Sequence, residues 1–569
     1  MRVVQGAPMK MQVWRWSLAL LLPSLFAVLF ASTLFADAGD PPSRVARLSL
    51  AQGKVSFQPS GESDWSEATI NRPVTTGDRL FADQGARAEL EVGPFAIRLS
   101  QNTDVTLANL NDQLLQLGIG QGSLRVTLYE LPANNSVEID TPNGALILQA
   151  AGSYRVDTAP DGKSTQVTVN TGTLQISAGD LSKTLQSGQA VTLTGTGPVM
   201  ASDLSVPSPD DFDRWSIDRD HRIEASASMR SVGRGIPGGE DLDANGQWVS
   251  EPGYGTVWYP NVPSNWAPYR SGHWVHIKPW TWTWVESEPW GYAPFHYGRW
   301  VRIHRAWAWV PEPVVERPVY APALVVFVGG GNPGNQAWIP LGPGEEFTPY
   351  YEHGPHYMGE YNREYYGHDH ERHDFERDHA ERHYANRDAG FTAVSGETFR
   401  GGQPVSNGMV HLSPEVVAHS QPITHLDVTP APRAAFGAGA VAAPPVHEVR
   451  VIQAGPGTPS GWHTAPPEVH EGPRPGGPPT TPPPHVFTRT SPVPTNITPV
   501  VRQENNPAAT GHSVQPQPVT NVETVKPTTP APEKAAVPPP PKPPTPPPPP
   551  PKPAAPKTPP PAKDDHKHH

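Results

Sequence analysis

The sequence predicts an all-β protein: a module of many short strands, built as a sandwich or β-solenoid, then a small aromatic-rich β-repeat module and a long disordered proline-rich C-terminal region. Three observations predict it. Apolar and polar residues alternate in short runs from Arg44 to about Met200. Gly-x-Trp-Val recurs at a fixed interval further on. The chain of 569 residues carries 74 Pro, which crowd its last third, and only 36% apolar residues. Core-forming capacity therefore lies mostly before about Gly401.

The N-terminus reads as an export signal. Arg2, Lys10 and Arg15 form a basic flank, Trp16 to Ala36 is uncharged and rich in Leu, Ala and Phe, and Ala36-Asp37-Ala38 supplies small residues for a peptidase. Residues 1–38 are thus a signal peptide, with a retained membrane anchor as the alternative, since the run is just long enough to span a bilayer. Either way the rest of the chain is expected in the periplasm or beyond. There is no cysteine, which removes disulfides, thiolate metal sites and cysteine nucleophiles. A net charge of −12 gives no sign of a nucleic-acid partner.

The first module is assigned to residues 44–200. Ala88-Glu89-Leu90-Glu91-Val92, Val167-Thr168-Val169 and Leu174-Gln175-Ile176 alternate, which predicts strands with one buried and one wet face. Asn143-Gly144, Asp161-Gly162, Thr171-Gly172 and Ser187-Gly188 mark turns. Gly118-Ile119-Gly120-Gln121-Gly122 lacks the Lys-Ser/Thr of a phosphate loop and reads as another turn between strands. Several blocks recur in a recognisable order: Gly77-Asp78-Arg79-Leu80, Gly85-Ala86-Arg87-Ala88-Glu89-Leu90, Asp140-Thr141-Pro142-Asn143-Gly144, Gly152-Ser153-Tyr154-Arg155-Val156 and Val169-Asn170-Thr171-Gly172. This series resembles the FecR domain. The resemblance implies an exported β module that meets partners, as the periplasmic part of a transmembrane regulator does. Only some fifteen residues precede the apolar run here, too few for a folded cytoplasmic domain that would control a sigma factor.

Residues 201–245 read as a linker, in which Asp210 to His221 suits a short charged helix and Gly233 to Gly239 suits open chain. The second module, 246–351, contains the repeat. Gly246-Gln247-Trp248-Val249, Gly272-His273-Trp274-Val275 and Gly298-Arg299-Trp300-Val301 are 26 residues apart, and Trp258 aligns with Trp284. Trp280, Trp282 and Trp284, then Trp307 and Trp309, fall at every second residue, so each set shares one face of a strand. Each unit reads as a hairpin or meander whose aromatic face needs cover. The block resembles a Trp/Tyr-rich domain of unknown function found behind FecR domains in exported bacterial proteins. That resemblance continues through Arg317-Pro318-Val319-Tyr320-Ala321-Pro322 and Trp338-Ile339-Pro340-Leu341-Gly342.

Trp280, Trp282, Trp284, Trp307 and Trp309 are the candidate ligand-binding residues, because exposed rings in a row stack on sugar faces. The competing expectation is that rings on short strands form the core. An intermediate arrangement buries Trp274 and Trp300 and exposes some of the others. Residues 352–400 are charged and His-rich. His379 and His383 are one helical turn apart, but His379-Ala380-Glu381-Arg382-His383 is not the HExxH zinc pattern, so a solvated face is expected and no metal site. Residues 401–569 read as disordered, ending in polyproline with interspersed lysines. No catalytic motif and no cofactor fingerprint is found. The expected function is non-catalytic recognition of an envelope glycan or envelope protein, with FecR-type sensing as its sharper form. A cell-wall scaffold and an envelope-glycan-active enzyme are the alternatives.

Overall fold

The computed structural model describes residues 40–446, apart from 316, 330, 333, 363–383 and 438, together with the two-residue strands Val451–Ile452 and Val486–Phe487. The signal segment, the five histidines between His368 and His383 and the polyproline end lie outside the described residues. The described chain holds far more strand than helix, as the alternation predicts.

Residues 46–204 form two sheets around one core of Leu, Val and Ile. The first sheet runs, strand beside strand and all antiparallel, from Pro73–Val74 through Ala46–Gln52, Arg87–Val92, Phe95–Leu99 and the C-terminal half of Leu114–Leu128. It continues through Gly152–Thr158, Ser164–Thr171 and Gln189–Thr194 to Met200–Leu204. The second runs from Trp65–Glu67 through Val55–Gln58, Arg79–Ala82 and Thr103–Leu110 to the N-terminal half of Leu114–Leu128. Ser136–Thr141 then pairs in parallel, followed by Gly144–Leu148, Thr173–Ala178 and Leu181–Gln186.

The two sheets therefore share one strand, Leu114–Leu128. Residues 118–122, expected as a turn between strands, are instead the bend inside it, where pairing passes from Thr103–Leu110 to Gly152–Thr158. Gly122 makes the bend possible: its φ is +93°, and a Cβ there would lie 2.5 Å from Thr103 Cα.

The expected linker is a docked element. The helix Asp211–Ala225 begins with a capping box, Asp210 accepting from the Asp213 N–H and the Asp213 side chain answering it. It lies on the polar face of the first sheet, the face that alternation predicts as wet. Arg219 donates to both oxygens of Glu89 at 3.1 Å. Asp213 bridges Arg125 at 2.7 Å and Arg155 at 2.6 Å, and Asp220 meets Arg98 at 2.6 Å and the Tyr129 hydroxyl at 2.7 Å. Glu89 and Arg98 are fully buried. Alternation distinguishes polar from apolar faces, and here the polar face is satisfied by opposite charge in place of water.

The second module is a set of tryptophan hairpins. Trp248 pairs with Trp258, Trp274 with Trp284 and Trp300 with Trp309, each directly across a hairpin. The first and third hairpins join edge to edge at Trp258 and Trp309. A fourth, Val325–Gly329 with Gln336–Pro340, opposes Phe327 to Trp338 and gains Thr392–Val394 and Pro422–Ile423 on its two sides. The repeat's glycine has a steric cause. A Cβ on Gly246 would stand 2.5 Å from Trp258 Cζ2, on Gly272 2.6 Å from Trp284 Cζ2, and on Gly298 2.6 Å from Trp309 Nε1. Each glycine is the place where the partner strand's indole lies on the backbone.

The module does not end at residue 351, and order does not end at 400. Phe399 packs against Trp282 with ring centroids 4.4 Å apart and also against Trp274 and Trp338. Asn386 donates to the carbonyl oxygens of Trp300 and Pro340, and Trp282 Nε1 donates to Val428 O. Ala440–Val441 then pairs with Trp65–Glu67, so the chain returns to the first module. A proline- and glycine-rich composition hid this cover, because a few apolar side chains suffice when the rings beneath supply the buried area.

Two outcomes follow from this packing. Gly272→Ala lowers unfolding free energy by about 3 kcal/mol, the range of an overpacked core, while Ala substitution at exposed Gly439, where an added Cβ meets nothing within 4 Å, changes it by less than about 1 kcal/mol; urea titration followed by tryptophan fluorescence reads both. Arg219→Met leaves Glu89 buried beside Arg98 alone and costs about 3 kcal/mol or more, read as a shifted urea midpoint.

Candidate functional site

The five tryptophans expected to meet ligand are core residues. Trp280 and Trp282 are 1% exposed, Trp284 and Trp309 are fully buried, and Trp307 is 7% exposed. Their indole N–H groups are used internally: Trp280 donates to the Tyr357 hydroxyl, Trp284 to Glu286 Oε2 and Trp309 to Tyr297 O. The rings meet edge to face, as Trp274 does with Trp284 at 5.4 Å and 70° and with Trp338 at 5.3 Å and 76°. No face is left for a sugar on these five, so the expectation of a stacking platform is corrected. Period-2 spacing placed Trp282 with Trp284 and Trp307 with Trp309 on single strands, whereas Trp280 lies in the hairpin turn before Thr281, whose φ of +63° breaks the alternation; the covering segment beyond residue 384 could not be read from composition.

A concave feature of the described surface lies elsewhere in the same module. A cavity of about 390 Å³ opens between the third hairpin and the extended chain after it. This is the size of a small-molecule site. Val310, Pro311, Pro313 and Pro343 supply apolar wall, and Arg299, Glu312, Arg317 and Glu345 supply charge. Arg299 Nη1 stands 3.7 Å from Glu312 Oε1, and its Nε donates to Glu345 O. Glu345 also accepts from the Gly342 N–H at 2.7 Å and the Ala385 N–H at 2.6 Å, which pins the loop on one side.

A smaller cavity of about 40 Å³ adjoins it at the seam between the modules and shares Arg317 and Pro318 with it. Ser43, Arg44 and Gly93 line it from the first module, and Tyr297 from the second. The seam is fixed by Tyr320 N–H donating to Ser43 O at 2.9 Å and by Asn71 donating to the carbonyl oxygens of Glu286 and Glu288. Arg47 also crosses it, donating to Pro289 O and pairing with Glu91 and Asp241. Sequence reasoning missed Arg317 and Pro318 as lining residues because they lie in Pro-rich connecting chain with no periodicity, and Arg47 and Glu91 because alternation does not tell a buried charge pair from a solvated one.

Titratable groups near the seam are strongly displaced by burial. Burial holds His296 neutral down to about 3 and His273 to about 4, so neither is a cation at neutral pH. Burial pushes Glu286 up to about 8 against the opposing hydrogen bonds from Trp284 and from the Glu288 and Ser287 N–H groups. At Glu89 burial also acts upward, but Arg219 and Arg98 override it and hold the carboxyl down to about 2.

Residues 239–345 match a family of unknown function, DUF6600. The chain matches none of the curated proteins. Among solved structures, two crystal structures of a "putative anti-sigma factor" from Parabacteroides distasonis ATCC 8503 are similar over 22% of this chain, at 10% and 11% identity, each with a TM-score of 0.20. The chain spans 60% of the length of that protein.

Glu286 gives a pH dependence with a definite sign. Its folded pKa is raised, so the folded state holds a proton that the unfolded chain releases. The stability it contributes is complete below about 4.5 and falls by roughly 1.4 kcal/mol for each pH unit climbed towards about 8. Glu286→Gln flattens that fall, so the variant melts higher than wild type at pH 8 and close to it at pH 4.5; thermal melts across this range read the difference.

Proposed function

We propose that this chain is an exported envelope protein whose fused β modules hold a recognition cleft and perform no catalysis, in the manner of FecR-type sensing. One observation carries the reading: the 390 Å³ cavity with its charged rim lies beside a seam that both modules build. The cleft itself is lined by the second module, and through Arg317 and Pro318 it adjoins the smaller cavity that Ser43, Arg44 and Gly93 line from the part that resembles FecR. Export is supported by the basic, apolar and small-residue order of residues 1–38. A binding role is supported by how the buried charges are used. Glu89 is spent on Arg98 and Arg219, Asp213 on Arg125 and Arg155, and Arg47 on Glu91 and Asp241, which makes a rigid platform. Envelope glycans and envelope proteins are the proposed partners.

The test uses the whole exported chain and insoluble envelope material. Val315 lines the cavity and is 38% exposed, so Val315→Trp fills the space without disturbing a core. Retention on the envelope fraction falls by about tenfold in this variant, equivalent to about 1.4 kcal/mol. Equal retention of variant and wild type removes the cleft as the recognition site. Release of soluble glycan from the same material by the wild-type chain removes the non-catalytic reading.

A further inference from the structure

The charges where the two modules join do not balance. Arg47 pairs with Glu91 at 3.3 Å and with Asp241. Arg219 comes within 4.0 Å of Glu240, but its guanidinium is already spent on Glu89. Glu91, Glu240 and Asp241 therefore meet one guanidinium of their own. The side chains of Glu91 and Glu240 are only 6% and 10% exposed, so water does little to relieve the excess of negative charge.

Two of these carboxyl groups share a site. Glu91 and Glu240 are hydrogen-bonded side chain to side chain, and both line a cavity of about 10 Å³. Glu91 Oε2 accepts from the Gly238 N–H at 2.8 Å and from Arg47. Glu91 Oε1 and Glu240 Oε1 are buried and receive no N–H or hydroxyl donor. An ionised carboxylate only accepts, so a bond between two carboxyl groups requires a proton on one of them. The cavity is no larger than a single water needs. Arg234, stacked on the Tyr129 ring, also lines it and disfavours a metal cation there.

The surrounding groups keep that proton in place. Burial, and then the charges of Glu91 and Asp241, push Glu240 well above the usual carboxylate range, against Arg47. Burial likewise raises Asp241 against Arg47. Burial opposes the charge on Arg47 and Arg219, but their carboxylates override it. Tyr129 at the cavity and Tyr292, whose ring lies under Arg47, are both raised by burial and stay neutral.

The position of the pair gives the proton a consequence. Glu240 lies in the segment that leads from the helix to the first tryptophan hairpin, and Arg47 reaches from the same cluster to Pro289 O in the second module. We propose that Glu91 and Glu240 share one proton, and that this proton is a pH-sensitive latch on the docking of the two modules. When it leaves for solvent the two carboxylates repel, and residues 236–241 part from the first sheet. The latch does not depend on what the cleft binds. Its folded pKa is raised, so its contribution is complete below about 4.5 and is lost as pH climbs through the raised folded value.

The test is hydrogen–deuterium exchange of the whole exported chain, read by mass spectrometry and corrected for the intrinsic exchange rate. A Glu286→Gln background removes the pH dependence of that second buried carboxyl. Protection of residues 236–242 falls by about tenfold for each pH unit climbed from about pH 6 until the proton is lost. Adding Glu240→Gln, whose amide supplies a donor at every pH, removes this fall. Infrared spectra at about pH 6 show a protonated-carboxyl carbonyl stretch in the Glu286→Gln chain that the double variant lacks. Constant protection in the Glu286→Gln chain overturns the latch, and that measurement decides even where the double variant does not fold. The same fall in the double variant also overturns it. Protection that responds to Mg²⁺ or Ca²⁺ in place of pH makes the pair a cation site and removes the shared proton.

Discussion

The buried layer of opposite charges between the first sheet and its helix is the constraint on which the rest of the described structure depends. Glu89, Arg98, Arg125 and Arg155 project from neighbouring strands of one sheet, and Asp213, Arg219 and Asp220 descend on them from one helix. Removing such groups from water costs several kcal/mol per ion, which only complete pairing offsets. The layer therefore has one satisfactory arrangement. A helix shifted by one turn would bring Trp215 or Ile223 to the place of Arg219 and leave Glu89 without that guanidinium, so the charges fix its register in a way that a greasy face would not. The chain beyond the helix inherits that register. Gly238 N–H donates to Glu91, and Asp241 pairs with Arg47, immediately before the first tryptophan hairpin begins at Gly246.

The second module solves a different problem with the same economy of secondary structure. Short hairpins bury little area on their own, and indoles supply what length does not. Direct opposition of Trp274 to Trp284 and of Trp300 to Trp309 places two large rings on one face of each hairpin. The hairpins then cover one another, and residues 384–437 close the remaining side. Glycine at the start of each repeat is the cost of that density, since the indole occupies the volume a Cβ would need.

These two solutions explain what was legible in the sequence. Strand type was readable across residues 46–194 except at 118–122, because period-2 alternation survives whether the polar side meets water or counter-charge. The Gly-x-Trp-Val spacing was readable as a set of equivalent units, because sterics tie that glycine to that tryptophan. Exposure was not readable. Glu89 and Trp282 are both buried, and nothing local separates them from a solvated glutamate or a displayed indole; the partners are Arg219, 130 residues away, and Val428, 146 residues away. The same distance hid the ends of the second module. Phe399, Leu426 and Phe436 are isolated apolar residues in polar or Pro-Gly chain, with no period of their own, and only the rings they cover give them a place. Gly122 misled for a related reason: a glycine with positive φ marks a change of direction, but not whether the strand ends there or bends and continues.

The location of the cleft gives this architecture a functional consequence. Arg317 and Pro318 border both the cleft and the smaller cavity beside it, and Ser43 and Arg44 complete that smaller cavity from the first module, so a ligand that reaches from one into the other meets both modules only when they are docked. Whatever binds there binds the docked state in preference to the separated one, and linkage requires that it stabilise docking by the same free energy. The seam is already closed by Arg47, Asn71 and the returning strand Ala440–Val441. A ligand therefore has little rearrangement left to drive, and the free energy of contact goes into affinity and into holding the seam. A site on loose linked domains would spend part of it on ordering them. The ionic layer thus acts on recognition from a distance: by fixing the helix it fixes the second module, and by fixing that module it sets the cleft beside the seam.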